Sequence, residues 1–335
     1  MKPVIFGLSG LTVTADERRF FVEAEPLGFI LFKRNIENRV QLLALTDELR
    51  AMTGRDDLPI LIDQEGGRVA RMGPPEWPAF PAGPAFDALY DVAPISAIEA
   101  VRAHAEATGV MLAEVGINVD CWPMLDIAQP DTAEIITIRA LGREPMRVAA
   151  MGRAILDGLA RAGVVGVVKH MPGHGRALVD SHLELPRVTA DEAALEVDLE
   201  PFRRLADAPM GMTTHIVFDV WDAARPATLS PTVVEQVIRG KIGFDGLLMT
   251  DDIDMKALSG TAGEKAAAAI AAGCDVVLDC WGRMDEMVEI VERLDDISAV
   301  SRARLDRAMA GVTARRSDVA FAKLVAKRDA LLALV

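Results

Sequence analysis

"VVGVVKHMPGHGRALVDSH", residues 164–182, changes character at Lys169. Up to Val168 it is a near-continuous apolar run, interrupted only by Gly166, the pattern of a strand buried on both faces of a parallel sheet. Lys169 and His170 then end the run in polar chemistry. Pro172, Gly173 and Gly175 break regular structure, and the loop goes on to Asp180 and His182. The two glycines are expected to turn the chain sharply with positive φ. Three of the chain's five histidines fall in this one segment. A buried strand whose carboxyl end carries polar groups and opens into a loop is the repeating unit of an α/β protein.

Seven other runs share that form. They are "VIFGLSG" (4–10), "GFILF" (28–32), "PILIDQEGG" (59–67), "INVDCWPMLDI" (117–127), "MGMTTHIV" (210–217), "GLLMTDD" (246–252) and "CDVVLDC" (274–280). Helical patterns separate them. Ser96 with Glu99, and Thr189 with Glu192, have the spacing of a capping box. Ser230 precedes Pro231 as cap and first helical residue. Leu42, Leu45, Leu49 and Met52 share one helical face. Eight strands alternating with helices, without a linker or low-complexity segment, predict one (β/α)8 TIM-type barrel. Residues 1–335 then form a single catalytic domain, with a helical extension around 300–335 and some strands or loops irregular. An open doubly wound sheet is the alternative, but "GLSGLTVTADE" after the first strand lacks the phosphate-loop spacing.

The chain carries a formal charge of −14, with 51% apolar and 26% charged residues. So acidic a surface argues against nucleic acid or an anionic membrane as partner. Three cysteines (Cys121, Cys274, Cys280) show no disulfide spacing, and no run approaches a membrane span. No secretion signal is legible at the N-terminus. The expectation is a cytoplasmic protein without cofactor, a monomer or weak homodimer acting on a small-molecule ligand.

In a barrel of this type, chemistry sits at the carboxyl ends of the strands. Those ends carry Asp63, Glu65, Arg68 and Arg71 on the third strand, then Asp126 on the fourth, with Arg139 in the loop beyond. Lys169 and His170 follow on the fifth, His215 and Asp219 on the sixth, and Asp251, Asp252 and Asp254 on the seventh. Such a ring suits a polyhydroxylated ligand held by bidentate hydrogen bonds. Plainer roles are open for several members. Asp252 and Asp254 suit helix caps, His104 sits inside a helical pattern, and Glu65 with Arg68 makes a structural ion pair. In extended Asp180-Ser181-His182, the first and third side chains share a side, so Asp180 would orient the imidazole of His182. A zinc site from His170, His174, Asp180 and His182 is the rival. It is weakened because "MPG" keeps the first two off one helical face.

These residues resemble the bacterial β-N-acetylglucosaminidases of glycoside hydrolase family 3. "KHMPGHGRALVDSH" is similar to that family's K-H-[FI]-P-G-[HL]-G-x4-D-[ST]-H, and "LIDQEGGRVAR" to its D-Q-E-G-G-R-V-x-R. "GFDGLLMTDDIDM" and "RPATLSP" match two further motifs, and together the matches span most of residues 5–285. The resemblance implies a barrel that releases non-reducing terminal β-linked N-acetylglucosamine with retention of configuration. In the branch that recycles peptidoglycan, the substrate is a muropeptide, N-acetylglucosaminyl-1,6-anhydro-N-acetylmuramic acid with or without its peptide. It also implies Asp251 as nucleophile, His182 as general acid/base and Asp180 as its orienting partner. Asp63, Arg71, Arg139, Lys169 and His170 would hold the sugar, with His215 and Arg176 as further candidates and no metal.

The sequence departs from the family at Met171, Ile138, Asp254 and Arg176-Ala177. Arg176 is read as favouring an anionic leaving group. Phosphorolysis in place of hydrolysis, attack by the substrate's own acetamido oxygen, β-glucosidase activity and a sugar sensor without turnover all stay open at this stage.

Overall fold

The computed structural model of the chain describes all residues except Asp180, His182 and residues 313–316. The acid/base pair nominated from the sequence therefore lies outside the described residues. All eight predicted runs supply a strand. These are β1 (Lys2–Gly7), β2 (Pro26–Leu31), β3 (Ile60–Ile62), β4 (Val119–Asp120), β5 (Val165–Met171), β6 (Met210–Thr213), β7 (Leu247–Asp252) and β8 (Val276–Asp279). Each pairs in parallel with its sequence neighbours, and β8 pairs with β1 to close the barrel. The doubly wound alternative is thereby excluded.

Helices fill every crossover: α1 (Ala15–Ala24), α2 (Arg39–Thr53), α3 (Gly83–Val92) with α4 (Pro94–Ala113), α5 (Pro145–Arg161), α6 (Glu192–Arg204), α7 (Val233–Ile242) and α8 (Ala262–Ala272). After β8 come α9 (Met284–Arg293), α10 (Ala299–Met309) and α11 (Phe321–Leu332). None of the described helices is long and apolar enough to cross a membrane. Cys121, Cys274 and Cys280 are all buried free thiols.

Alternation along each strand separates two cores. Ile5, Ile30, Leu61, Val119, Val167, Met212, Met249 and Leu278 face the barrel axis and pack together. Val4, Phe29, Ile60, Val168, Leu248 and Val277 face outward into the layer beneath the helices, as do Leu42, Leu45 and Leu49 of α2. Leu305, Ala308 and Met309 of α10 join the axial cluster and so close the amino-terminal end of the barrel. Asp275, just before β8, fastens this helix by accepting from Ser301 Oγ at 2.7 Å and Arg304 Nη1 at 3.0 Å.

Several local expectations are corrected. Two strands are much shorter than their apolar runs. Beyond Ile62 the chain leaves the barrel and folds Gln64–Gly66 back on Val69–Ala70 as an antiparallel ribbon. Gly66 (φ 101°) and Gly67 (φ 58°) make that turn. In the fourth run Pro123 has no N–H to offer the ladder, which resumes only at the bridge between Met124 and Lys169. Helix α4 starts at Pro94, ahead of Ser96, because a proline is most easily placed in the first turn. Helix α6 is capped by Asp191, which accepts from Ala194 N at 2.9 Å, and Thr189 is not its cap. Arg187–Val188 pairs with Val217–Phe218, which holds the chain extended just before Thr189. Ser230 does act as a cap, its Oγ accepting from Val233 N at 3.2 Å.

Candidate active site

The alternation that buries Leu61, Val167 and Met249 on the axis carries Asp63, Lys169 and Asp251 to the axial side one step further on, at the mouth. Phe32 and Cys280 reach the mouth in the same way from β2 and β8. A single strand period thus converts an apolar core into a polar floor.

Around β3 to β5 that floor is one connected array. Lys169 Nζ lies 2.6 Å from Glu65 Oε1 and 3.1 Å from Asp63 Oδ1. Arg71 donates to Asp63 Oδ2 at 2.9 Å. Arg139 forms a two-pronged pair with Glu65, at 2.9 and 2.6 Å. Glu65 therefore pairs with Arg139 and Lys169, which corrects the expected Glu65–Arg68 pair. The ribbon turn aims Glu65 inward, where Lys169 from the end of β5 and Arg139 from the loop after β4 converge. Burial by itself would raise the Asp63 and Glu65 pKa values, but the adjacent cations reverse this and hold both well below the usual carboxylate range. Burial likewise opposes the charge on Lys169, and the two carboxylates overcome it and push its pKa up. Asp63, Glu65 and Lys169 stay ionised at neutral pH, and the array presents donors and acceptors in fixed positions, as recognition of sugar hydroxyls requires.

At the end of β5, His170 Nδ1 sits 2.6 Å from Asp126 Oδ2. Asp126 Oδ1 accepts the amides of His170 at 3.3 Å and His174 at 2.6 Å. The intervening Gly173 has φ 137°. Gly175, expected to have positive φ, is needed for another reason: an added Cβ would lie 1.9 Å from Ile127 O. His174 is buried, and its Nε2 lies 3.1 Å from Ser181 Oγ. Burial pushes its pKa down to about 4, so it is neutral at pH 7.

On β7, Asp251 Oδ1 accepts the Asp252 amide at 2.8 Å. Asp252 Oδ1 accepts from Asp254 N at 3.1 Å and Cys280 N at 3.3 Å, so Asp252 closes a turn at the end of β7; the next helix begins only at Ala262 with Thr261 as its cap, which corrects the expected helix cap. Burial raises the Asp252 pKa to about 6, with the charge of Asp251 adding to the effect. His215 is fully buried, with Nδ1 2.7 Å from Thr228 Oγ1 and Nε2 2.9 Å from Asp252 O. It forms the wall behind β7. His104 is also buried, its ring packed against Phe80, Phe86 and Trp122.

Arg176 turns away from the mouth. Its Nε donates to Asp198 of α6 at 2.6 Å and its Nη2 to Ala194 O at 2.9 Å. Asp198 is 4% exposed, and a buried carboxylate of that kind demands a cation. Asp126 and Glu65 are the functional groups the sequence underrated. Their signal was position alone, at or just beyond the carboxyl end of a strand. Among the described residues, no three histidine, cysteine or acidic side chains converge as a metal site.

The Glycosyl hydrolase family 3 N terminal domain matches residues 10–314. A β-hexosaminidase of Alkalilimnicola ehrlichii is 37% identical over 314 residues, covering 91% of this chain and 88% of that protein. One from Chromobacterium violaceum is 36% identical over 349 residues, with 98% and 96% covered. Among solved structures, NagZ from Neisseria gonorrhoeae in complex with N-trifluoroacetyl-D-glucosamine superposes with a TM-score of 0.87 at 30% identity, covering 99% of this chain and 98% of that one. With a closed parallel barrel, a polar mouth at its carboxyl end and a family match over most of its length, the chain belongs to glycosyl hydrolase family 3 and is a glycoside hydrolase.

Proposed function

We propose that this chain is a retaining exo-β-N-acetylglucosaminidase that acts on a muropeptide, N-acetylglucosaminyl-1,6-anhydro-N-acetylmuramic acid with or without its peptide. The observation that carries the reading is the array of Asp63, Glu65, Arg71, Arg139 and Lys169, with His170 beside it, on one side of a mouth whose other side holds Asp251. The β-hexosaminidases that resemble the chain along most of its length, and the N-acylglucosamine bound in the Neisseria NagZ structure, support the same choice of sugar.

In this reading the array holds the hydroxyls of a terminal sugar and sets its anomeric carbon over β7. The Asp251 carboxylate attacks that carbon while the imidazolium of His182, oriented by Asp180, gives its proton to the leaving oxygen. Neutral His182 then takes a proton from water, whose oxygen displaces Asp251 and releases the sugar. Retaining glycosidases usually assign both roles to carboxyl groups. A histidine, with an ordinary pKa of about 6.5, does the proton transfer near neutrality without a carboxylic acid having to be buried.

The test is turnover of the 4-nitrophenyl β-glycosides of N-acetylglucosamine and glucose, each with and without EDTA. Preference for the first, indifferent to chelator, is expected. Equal or greater activity on the glucoside overturns the assignment. A 5-fluoro glycosyl donor should leave a covalent mass on Asp251, and turnover without that adduct would favour attack by the acetamido oxygen.

A further inference from the structure

Trp281 follows Cys280 at the carboxyl end of β8, and 51% of its surface is open. A single exposed apolar side chain needs no explanation by itself. This one, however, is braced. The Arg34 guanidinium lies 5.6 Å from the indole centroid and that of Arg283 lies 5.9 Å from it. Both arginines are anchored in turn. Arg34 donates through Nε to Leu8 O at 2.8 Å and through Nη2 to Cys280 O. Arg283 pairs with Asp254 at 2.7 Å and with Glu286. Arg34 further lies 4.9 Å from the Phe32 ring, with Arg71 at 5.2 Å from that same ring. A ledge of alternating cations and rings thus runs from Asp63 and Arg71, inside the sugar-holding array, out to Trp281 at the rim.

Its place in the barrel says what the ledge is for. The strands run around the mouth in sequence order, so β8 lies opposite β4, the centre of the β3–β5 array. A sugar whose hydroxyls are held at β3–β5 turns its anomeric carbon toward the far side of the mouth, and its leaving group, displaced from the face opposite Asp251, extends outward across the rim there. We propose that Trp281 is the platform of the leaving-group subsite, its indole stacking on the C–H face of the departing saccharide ring. The electron-rich π face matches the weakly positive axial hydrogens of a pyranose, and the flanking arginines keep the ring from swinging away. The proposal rests on the glycosidase reading above and deepens it.

The experiment compares two leaving groups on the same glycone. N-acetyl-β-glucosaminyl fluoride has no leaving ring, whereas the β-1,4-linked disaccharide of N-acetylglucosamine has one. In Trp281→Ala, kcat/KM for the disaccharide should fall about 10-fold, fluoride turnover should hold at the wild-type rate, and Trp281→Tyr should recover most of the loss. Equal losses on both substrates, or an unchanged disaccharide rate, would overturn the subsite and leave the glycosidase assignment intact. Wild-type protein that turns over neither substrate overturns both.

Discussion

His170 Nδ1 lies 2.6 Å from Asp126 Oδ2, and Asp126 is wholly buried. Because the other oxygen of that carboxylate takes the amides of His170 and His174, one side chain ties the end of β5 to the first turn of the histidine loop. Burial would raise the Asp126 pKa, but His170 and His174 together lower it, so it stays a carboxylate. In Asp126→Asn one acceptor oxygen becomes a donor that faces either a ring nitrogen or two amides. Losing a buried, charge-assisted hydrogen bond of this kind costs roughly 1.5–3 kcal/mol, or about 10–100-fold in kcat/KM. Steady-state kinetics on the aryl N-acetylglucosaminide checks this, and efficiency within twofold of wild type would show the tie to be dispensable.

The proposed nucleophile and acid should separate by leaving group. Asp251→Ala is expected to lose at least roughly 10³-fold for every substrate. His182→Ala should lose most where the leaving group is an alcohol that needs a proton, and keep far more with fluoride or nitrophenolate. A uniform loss in His182→Ala would count against the acid role.

Lys169 separates two carboxylates that would otherwise repel. With Lys169 present, the folded pKa values of Asp63 and Glu65 lie below their unfolded ones. Their stabilisation is therefore complete above about pH 4.5 and fades only as pH falls through the depressed folded values. Lys169→Met leaves Asp63 with Arg71 and Glu65 with Arg139 but removes the cation between the two carboxylates, and should cost roughly 1.5–3 kcal/mol. It should also move acid unfolding to higher pH, as thermal melts between pH 3 and 7 would register.

Asp279 has the opposite sign. Neither of its buried carboxyl oxygens has a hydrogen-bond partner among the described residues. Burial pushes its pKa up to about 7, assisted by the nearby charge of Asp252. The folded state then binds a proton that the unfolded state has lost above about pH 4, so stability falls as pH rises from there through about 7. Asp279→Asn removes that dependence. Relative to wild type, its Tm should rise at pH 8 and change little at pH 5. Parallel shifts at the two pH values would contradict the raised pKa.

Arg176 is expected to act on the loop's attachment to α6. Arg176→Ala leaves the Asp198 carboxylate buried without its cation and should lower stability by roughly 3–5 kcal/mol. The ratio of KM for anionic and neutral leaving groups should stay as it was. A selective rise in KM for the anionic substrate would restore the reading of Arg176 as a specificity residue.

Much of this protein was written along the chain. Eight apolar runs became eight strands, and strand alternation alone sends Asp63, Lys169 and Asp251 to the same side of the wall as the axial core, because neighbouring side chains on an extended chain must point opposite ways. Which charges meet was a matter for the closed barrel. Glu65 finds Arg139 and not the nearby Arg68, Asp126 finds His170, and Arg176 finds Asp198, each across elements that only tertiary packing brings together. The role of α10 as the barrel's lower plug belongs to the same class. Local periodicity dictates the direction a side chain takes from its own backbone. The partner waiting there is set by long-range packing, where buried charges must be matched or the fold is lost.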